Sequence, residues 1–428
     1  MRWRIEARAV WTGVQGAWYA PGQVTWTEAG IESAGAPEPS SAPVDRVIRV
    51  PEGVVLPGLL NAHNHAAMAL LRGLADDSAL EPWLYRHIFP VEAKMTAEDV
   101  WVGTLLACAE MIRGGTVGFA DMYFHADAVA RAVEQSGMRA WIAPGLVEAD
   151  DPGRERLLAA VAFAQRWRDR AAGRIVGMLG PHAPYTCGPD YLEAVAEAAV
   201  LHRLGVHIHL AESPREVETI RERYGLSPVA LAERVGLFSA RVVVAHAVHL
   251  DDRDRAILAG IRGGVAHCPV SNAKLGNGIA DVPALLRQGV AVGLGTDGPA
   301  STNALDLFLE MKTMAWLQKV RGADPTALGA REALAAATSG SAAVLGGVSG
   351  QLLPGHPADL CVVSTASPHW TPVHDWDSNV VYATCAQDVR YVVCAGRMLL
   401  EDGRLTTIDE AAVRQEAAER ARHLVGER

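Results

Sequence analysis

Short apolar runs alternate with longer amphipathic segments through the middle of the 428-residue chain. Eight runs rich in Val, Ile, Leu and Gly are typical of strands, at residues 54–61, 116–121, 139–146, 174–180, 206–210, 241–246, 263–267 and 290–296. Between them, segments such as 97–113, 154–171 and 189–204 carry apolar residues at three and four spacing, which predicts helices. Eight alternating units predict an α/β fold, a (β/α)8 barrel of the TIM type.

The two flanks of this region follow a different pattern. Residues 1–56 carry short alternating runs, such as Val24–Thr27 and Arg46–Val50, with Gly, Pro and Ser between them. Similar runs return at 350–352, 358–363 and 389–396, and a polar helix is expected from Asp409 onward. We therefore predict that 57–345 forms the barrel, while 1–56 and 346–428 together build a small β-sandwich domain that includes the terminal helix.

Composition excludes several classes of protein. A hydrophobic content of 50% allows a large buried core, and the net charge is −10. No dense cluster of Lys or Arg is present, so a nucleic-acid partner is not expected. The amino terminus lacks the apolar stretch of a signal peptide, and no apolar segment reaches about 18 residues. These features predict a cytoplasmic protein that does not bind a membrane.

Six cysteines show no Cys-x-x-Cys pair, and a chain of this size needs no disulfide framework. We expect them to be reduced and structural. Cys187 and Cys268 lie nearest the strand ends that carry polar residues, but neither has a neighbouring base that would make it a nucleophile.

Polar residues follow five of the predicted strands, at the points where the apolar runs end. They are His63-Asn64-His65, His182, His209 with Glu212, His246, and Asp297. In a (β/α)8 barrel the carboxyl ends of all strands meet at one face, where the chemistry of such enzymes takes place. Because residues two apart in a strand point the same way, His63 and His65 can share one metal ion.

Each of these signals has an ordinary structural explanation when it is taken alone. A His-x-His pair can end a strand by reaching solvent, and an Asp or His at a strand end is commonly a cap or turn residue. Their joint occurrence indicates a one-metal hydrolytic site. The chain contains no Gly-x-x-x-x-Gly-Lys-Ser/Thr, Gly-x-Gly-x-x-Gly, His-Glu-x-x-His or Gly-x-Ser-x-Gly motif, which argues against nucleotide-driven and serine-hydrolase mechanisms.

Longer motifs resemble those of the amidohydrolase superfamily over most of the chain. Residues 57–65, Pro-Gly-Leu-Leu-Asn-Ala-His-Asn-His, resemble its first-strand signature, and 294–298, Leu-Gly-Thr-Asp-Gly, resemble its last. The branch of 5-methylthioadenosine/S-adenosylhomocysteine deaminases is closer still. Its hallmarks appear at 71–73, 90–92, 121–124, 180–185 and 274–280.

This resemblance implies one metal ion per subunit, held by His63, His65, His209 and Asp297. Three histidines and a carboxylate suit Zn²⁺, with Fe²⁺ or Mn²⁺ as alternatives. No lysine ends the fourth strand, where two-metal relatives carry their bridging group. Glu212 is expected to be the general acid and base, while His246 holds the attacking water and Asp297 accepts its proton.

The resemblance also implies contacts with a nucleoside. Glu92 is expected to bind the ribose hydroxyls and His182 to contact the nucleoside, and Ser301 is expected in the same pocket. Some family members bind the homocysteine carboxylate with two arginines; here Pro144 occupies the first position and Arg154 is the candidate for the second. The expected preference is for methylthioadenosine or adenosine over S-adenosylhomocysteine.

The predicted function is metal-dependent hydrolytic deamination of adenosine-type nucleosides, and family habit suggests a homo-oligomer. One alternative is a related aminohydrolase or chlorohydrolase that acts on a free base or an s-triazine, with the same metal ligands. A catalytically inactive metal-binding protein is a second alternative, and intact Glu212, His246 and Asp297 argue against it. The His-x-Glu and Pro-Cys-x-x-Cys site of an unrelated class of zinc deaminases is absent. Whether residues 76–90 close over a substrate is left open.

Overall fold

The computed structural model describes residues 1–38 and 43–426 of the chain. The strands of this part are β1 Trp3–Trp11, β2 Trp18–Tyr19, β3 Gly22–Thr27, β4 Gly30–Gly35, β5 Arg46–Pro57, β6 Leu59–Asn64, β7 Thr116–Tyr123, β8 Arg139–Leu146, β9 Ile175–Pro181, β10 Gly205–Leu210, β11 Arg241–His246, β12 Arg262–His267, β13 Val292–Leu294, β14 Leu360–Ser364, β15 Val389–Cys394, β16 Arg397–Glu401 and β17 Arg404–Leu405.

Strands β6 to β13 form the barrel. They are all parallel, and each pairs with its neighbours in the order of the chain. The last strand returns to the first: the backbone N–H of Asp297 donates to the carbonyl of His63 at 3.0 Å, and that of Thr296 donates to Oδ1 of Asn61 at 3.0 Å. The predicted (β/α)8 barrel is confirmed.

The first barrel strand lies further along the chain than the apolar run suggested. We predicted one strand over 54–61, but residues up to Pro57 belong to β5 and the barrel strand β6 begins at Leu59. The run is continuous in sequence because both strands are buried. Val54 and Val55 pair with β1 on one side and β14 on the other, which draws this half of the run into the small domain.

Helices follow the barrel strands and cover the outside of the barrel. The predicted helix at 97–113 has the expected bounds. The helices predicted at 154–171 and 189–204 are shorter, at Glu155–Trp167 and Pro189–His202. The α-helices of the described residues are Leu80–Pro82, Phe89–Glu92, Ala97–Arg113, Ala126–Ser136, Glu155–Trp167, Pro189–His202, Pro214–Tyr224, Pro228–Arg234, Asp252–Ala259, Pro269–Lys274, Val282–Arg287, Pro299–Thr302, Leu307–Gly322, Ala330–Ala335, Ser341–Leu345, Trp376–Ser378 and Glu410–Val425. Short 3-10 and π turns lie at Ala66–Leu71, Trp83–Ile88, Glu148–Asp150, Ala171–Gly173, Leu237–Ser239, Ala336–Gly340, Pro368–Trp370, Asn379–Ala383 and Ala386–Asp388.

Both chain ends contribute to the small domain, as predicted. Its strands form one mixed sheet in the order β17-β16-β15-β14-β5-β1-β3-β4, with β2 paired to β1. Side chains from both ends share a core separate from that of the barrel, including Ile5, Trp26, Val55, Leu360 and Val393. The residue bounds of the three segments stay a prediction.

The polar helix expected from Asp409 is Glu410–Val425, and the side chain of Asp409 caps it by accepting from the N–H of Ala412. It packs beside helix Ala97–Arg113, where Nη1 of Arg420 donates to Oδ1 of Asp99 at 3.0 Å. Among the described residues no helix is long and apolar enough to cross a membrane.

Candidate active site

Four imidazoles and one carboxylate meet at the carboxyl ends of the barrel strands. His63 lies in β6, His65 directly follows it, His209 lies in β10, and His246 ends β11. Asp297 follows β13 by three residues. All five are buried or nearly so. The structure thus brings together residues that are separated by more than 200 positions in sequence.

Two of these imidazoles, those of His65 and His209, are oriented by the backbone, which holds their Nδ1 atoms and leaves their Nε2 atoms 3.3 Å apart. Nδ1 of His65 lies 2.6 Å from the carbonyl oxygen of Met122, and Nδ1 of His209 lies 2.7 Å from that of His182. A carbonyl can only accept, so both Nδ1 atoms carry the proton and both Nε2 atoms carry the free lone pair in the neutral ring. Backbone contacts of this kind fix the form of histidine that binds metals.

The separations of these atoms fit a metal ion. Nε2 of His63 and Nε2 of His65 each lie 3.2 Å from Oδ1 of Asp297, and Nε2 of His209 lies 3.3 Å from Nε2 of His65. A tetrahedral zinc site with bonds of about 2.1 Å places its ligand atoms about 3.4 Å apart. Nε2 of His63 is buried and makes no hydrogen bond to any described residue. This donor set therefore fits a divalent cation, with nitrogen and oxygen ligands that suit zinc.

Asp297 is oriented by two serine hydroxyls. Oγ of Ser271 donates to Oδ2 at 2.6 Å, and Oγ of Ser301 donates to the same oxygen at 2.8 Å. Oδ1 is left to face the histidines. Burial raises the pKa of Asp297, but the imidazoles of His63 and His65, each 3.2 Å away, lower it further, so the pKa is held well below its usual value. The carboxylate is therefore ionised, which is the form that binds a cation.

The backbone is strained at two of the strand ends that carry the site. His246 has φ 70° and Asp297 has φ 64°, in the left-handed region that residues other than glycine rarely adopt. Each such residue costs on the order of 1 kcal/mol, and such strain is concentrated at functional sites. The left-handed turn directs both side chains toward the barrel axis just where the strand stops.

Glu212 lies beside this cluster, at the start of the segment that follows β10. Its Oε1 accepts from Nδ2 of Asn277 at 2.9 Å, and its Oε2 lies 3.8 Å from Nε2 of His246. The carboxylate of Glu216 accepts from the backbone N–H groups of Ala211 and Glu212 at 3.0 and 2.8 Å, which fixes the turn. Burial raises the pKa of Glu212 above its usual value. A buried carboxyl with a raised pKa is suited to take up and return a proton.

His246 is held by a side-chain amide. Its Nδ1 lies 3.0 Å from Oδ1 of Asn272, which can only accept a hydrogen bond. In the neutral ring Nε2 is then the unprotonated nitrogen and faces the carboxylate of Glu212. His246 can thus accept a hydrogen bond from a molecule placed between the two.

A cavity of about 1370 Å³ opens above the cluster. Glu92, His182, Glu212, His246 and Asp297 are among the residues that line it. Its volume exceeds that of one small ligand, as is usual for a cleft open to solvent. Aromatic side chains of the 76–90 segment, Trp83, Tyr85 and Phe89, lie along the same cavity.

Glu92 and His182, which the sequence predicts as substrate contacts, both line the cavity. The hydroxyl of Tyr123 donates to Oε1 of Glu92 at 2.6 Å, so Oε2 of Glu92 is not engaged by that hydrogen bond. Burial raises the pKa of Glu92 above its usual value. His182 directly follows the fourth barrel strand, and its Nδ1 lies 3.0 Å from Oγ1 of Thr186.

Two of the residues expected to contact a substrate lie elsewhere. Ser301 is buried behind Asp297 and acts on the carboxylate, so it does not line the cavity. Arg154 is exposed and donates to the carbonyl of Asp190 at 3.3 Å, outside the cavity. The helix that follows begins at Glu155, and this turn directs Arg154 away while Arg156, Arg166 and Arg223 reach the cavity wall. Pro144 also lines the cavity.

Several supporting residues were missed at the level of sequence. Ser271, Asn272 and Asn277 hold Asp297, His246 and Glu212, respectively. They lie on or beside the short helix Pro269–Lys274 that follows β12, and Asn277 fell within a motif noted only for its resemblance. A cluster of small polar residues directly after a barrel strand was the available signal.

The cysteines are free, as expected, and no disulfide is present among the described residues. Burial raises the pKa values of the Cys187 and Cys268 thiols above their usual value. Both are therefore protonated at neutral pH, and neither is suited to act as a nucleophile.

Comparison with known proteins identifies the family of this chain. The sequence profile of the amidohydrolase family matches residues 54–399. The chain belongs to the amidohydrolase family. Over 383 residues it is 46% identical to the 5-methylthioadenosine/S-adenosylhomocysteine deaminase of Dictyoglomus thermophilum, covering 89% of this chain and 90% of that protein. The resemblance to this branch of the family is thus confirmed.

Other relatives and solved structures agree with this placement. The 5'-deoxyadenosine deaminase of Methanosarcina mazei is 46% identical over 383 residues, with 89% of each chain covered. A crystal structure of an adenosine deaminase from Xanthomonas campestris with bound zinc superposes with a TM-score of 0.93 at 34% identity, covering 99% of this chain and 98% of that one. An atrazine chlorohydrolase from Arthrobacter aurescens TC1, complexed with zinc, shares the fold with a TM-score of 0.89 at 24% identity, covering 98% and 100%.

Proposed function

We propose that this chain is a zinc-dependent deaminase that hydrolyses adenosine-type nucleosides to the corresponding inosine compound and ammonia. The observation that carries the proposal is the cluster of His63, His65 and His209. Oδ1 of Asp297 lies 3.2 Å from Nε2 of His63 and of His65, and the carboxylate of Glu212 lines the same cavity. The 46% identity to deaminases of 5'-substituted adenosines supports the choice of substrate class.

His63, His65, His209 and Asp297 would hold one Zn²⁺ per subunit, with Fe²⁺ or Mn²⁺ as alternatives. A divalent ion there supplies the Lewis acidity that lets water attack near neutral pH. No lysine stands after the fourth barrel strand, where His182 follows Pro181, so the donor set supports one ion rather than two.

Glu212 would carry the protons of the reaction. Water adds to C6 of the purine and gives up both of its protons in the course of the reaction. One ends on N1 of the ring, and the other goes to the amino group, which leaves as ammonia. Oε2 of Glu212 faces the space beside His246, while Oε1 is held by Asn277, so one oxygen is free to exchange protons. His246 would hold the attacking water through Nε2, and ionised Asp297 would accept the proton that water loses.

Glu92 and His182 would bind the nucleoside. A carboxylate oxygen accepts well from two adjacent ribose hydroxyls, and Tyr123 orients the Glu92 carboxylate for this. His182 lines the cavity with its ring centroid 5.0 Å from that of His209, near the proposed metal ligands. A free base or a triazine offers no ribose to Glu92, which favours a nucleoside over these alternatives.

The preference among 5'-substituents is a further part of the proposal. Pro144 lines the cavity without a charge, and Arg154 lies outside it. Neither expected position thus supplies a charge to the homocysteine carboxylate, although Arg156, Arg166 and Arg223 line the same cavity. We infer a preference for methylthioadenosine or adenosine over S-adenosylhomocysteine from the two positions. We also infer a cytoplasmic homo-oligomer with no nucleic-acid partner, and gel filtration with light scattering would test the assembly.

The experiment that tests this function measures ammonia release from purified protein, in zinc-loaded and chelator-treated forms. The substrates are methylthioadenosine, adenosine, S-adenosylhomocysteine, guanine and a chlorotriazine, and chloride release is followed for the last. We expect metal-dependent ammonia release from the adenosine compounds, with the highest kcat/KM for one of the first two. Activity confined to guanine or the triazine would overturn the proposal, and a lead for S-adenosylhomocysteine would overturn the preference.

A further inference from the structure

A second histidine in β10, His207, contacts His63, one of the proposed metal ligands. His207 precedes His209 by two residues and so lies on the same face of the strand. It is fully buried, and its Nε2 lies 2.7 Å from Nδ1 of His63. Branched apolar side chains usually fill the interior of such a barrel, so a buried imidazole at this level calls for a physical reason.

The contact between the two rings determines where their protons lie. A neutral imidazole has one N–H, and the other nitrogen carries a lone pair. If His207 donated to Nδ1 of His63, then His63 would bear its own proton on Nε2, and that nitrogen could not bind a cation. If His63 donates from Nδ1, its Nε2 lone pair is free and directed toward Oδ1 of Asp297.

The second arrangement requires that His207 keep its own proton on Nδ1. That nitrogen is buried and has no hydrogen-bond partner among the described residues. The unpaired N–H is unfavourable by itself. The arrangement is therefore explained by what Nε2 of His207 does for His63 rather than by the packing of His207.

We propose that His207 is a positioning residue that holds His63 in the form whose Nε2 binds the metal ion. The inference rests on the proposed metal site and assigns a role to a side chain outside the ligand set. His63 differs here from the other two histidine ligands, because His65 and His209 are held by backbone carbonyls that no substitution can remove. Of the three, only the orientation of His63 depends on a side chain.

Three substitutions separate hydrogen bonding from packing. His207→Gln places a carbonyl oxygen near the position of the imidazole Nε2 and can still accept from His63. His207→Leu fills a similar volume but accepts nothing. His207→Asn is polar, but its shorter amide reaches only the region of Nδ1 of the original His207 ring. It therefore also removes the hydrogen bond from His63, and it replaces the leucine variant as the test if that variant fails to fold.

His267→Leu is the matched control. His267 is also a fully buried histidine at a barrel strand, and neither of its ring nitrogens has a hydrogen-bond partner among the described residues. This variant reports the effect of replacing a buried imidazole that makes no hydrogen bond to a proposed ligand.

Zinc affinity is measured by competition with a chromophoric chelator, and the absorption spectrum of the cobalt-loaded forms reports ligand geometry. Loss of a hydrogen bond to a ligating histidine typically weakens metal binding by about 10- to 100-fold. We expect His207→Leu and His207→Asn to weaken zinc binding by such a factor and to alter the cobalt spectrum. His207→Gln should stay within about threefold of the parent, and His267→Leu should match it. Thermal unfolding of the metal-free forms shows whether each variant is folded.

The inference is overturned if folded His207→Leu or His207→Asn binds zinc as tightly as the parent, or if His207→Gln loses as much affinity as they do. These outcomes are independent of the substrate. A parent protein that binds zinc but deaminates nothing would refute the proposed function and leave the role of His207 standing. If the parent deaminates adenosine compounds and folded His207→Leu binds zinc as tightly as the parent, the role of His207 is refuted and the proposed function stands.

Discussion

Replacement of Glu212 by Gln removes the carboxyl group that is proposed to carry the protons, and it changes little else in the site. Oε1 of Glu212 accepts a hydrogen bond from Asn277 at 2.9 Å, and a glutamine oxygen can accept the same bond. The backbone N–H of Glu212 is held by Glu216, which the substitution does not touch. The turn after β10 should therefore keep its shape, and the metal ligands should keep their positions.

The size of the effect follows from the role of the carboxyl group. A positioned general acid or base contributes about 10² to 10⁴ in rate, which corresponds to about 2.7–5.5 kcal/mol of activation free energy. Glu212 would serve both proton transfers, to the ring and to the leaving amine, so we expect a loss of kcat near the upper end. KM should change little, because the amide can still hydrogen-bond the purine.

The assay is steady-state ammonia release from methylthioadenosine, with zinc content measured on the same samples. Glu218→Gln is the matched control, since Glu218 is exposed on the following helix and undergoes the same chemical change. It should retain the parental rate. If Glu212→Gln with full zinc content turned over within about tenfold of the parent, Glu212 could not be the proton carrier.

Three further substitutions test other parts of the site. Asp297→Asn should lower zinc content after dialysis and abolish turnover, because a neutral amide binds a cation poorly; a zinc-replete, active variant would contradict its role. Ser271→Ala removes a 2.6 Å hydrogen bond to Asp297 and should weaken zinc binding about tenfold or more, since bonds to charged groups contribute about 1.5–3 kcal/mol; unchanged affinity in a competition titration would refute this. Glu92→Gln should raise KM for adenosine about tenfold or more, with a smaller change in kcat. Its affinity for free adenine, measured by calorimetry, should be unchanged. An equal loss of affinity for adenine would place Glu92 away from the ribose.

The fold was predictable because its strongest signals are local. Buried parallel strands give continuous apolar runs, and amphipathic helices separate them, so most of the eight barrel strands fall within a residue or two of their predicted bounds. The exception is the run from Val54 to Asn61, which serves two sheets. No local pattern distinguishes its halves, because the partners of Val54 lie in β1 and β14.

The candidate site was predictable as far as strand ends specify it. His63, His209, His246 and Asp297 meet because their strands are parallel, and that follows from the alternating pattern. The placement of Arg154 and the positioning roles of Ser301 and Ser271 depend on turn geometry and on which neighbour a side chain meets. Such contacts are properties of the assembled barrel. The small polar residues after β12 indicate where Ser271 lies, but not which side chain it contacts.

The small sheet built from both chain ends has a consequence for biosynthesis. Strand β5 pairs with β1 in parallel, but its other neighbour, β14, comes after the whole barrel, with Leu360 opposite Pro57. Translation proceeds at roughly 5–20 residues per second, so one edge of β5 emerges from the ribosome tens of seconds before its partner does. During that interval the chain has an open strand edge of the kind that promotes association between nascent chains. Closure of the barrel brings residue 58 beside residue 359, where their backbones hydrogen-bond at 3.0 Å. Closure of the barrel thus brings β14 next to the unpaired edge of β5. Variants that slow barrel closure should aggregate during synthesis even where the finished protein is stable.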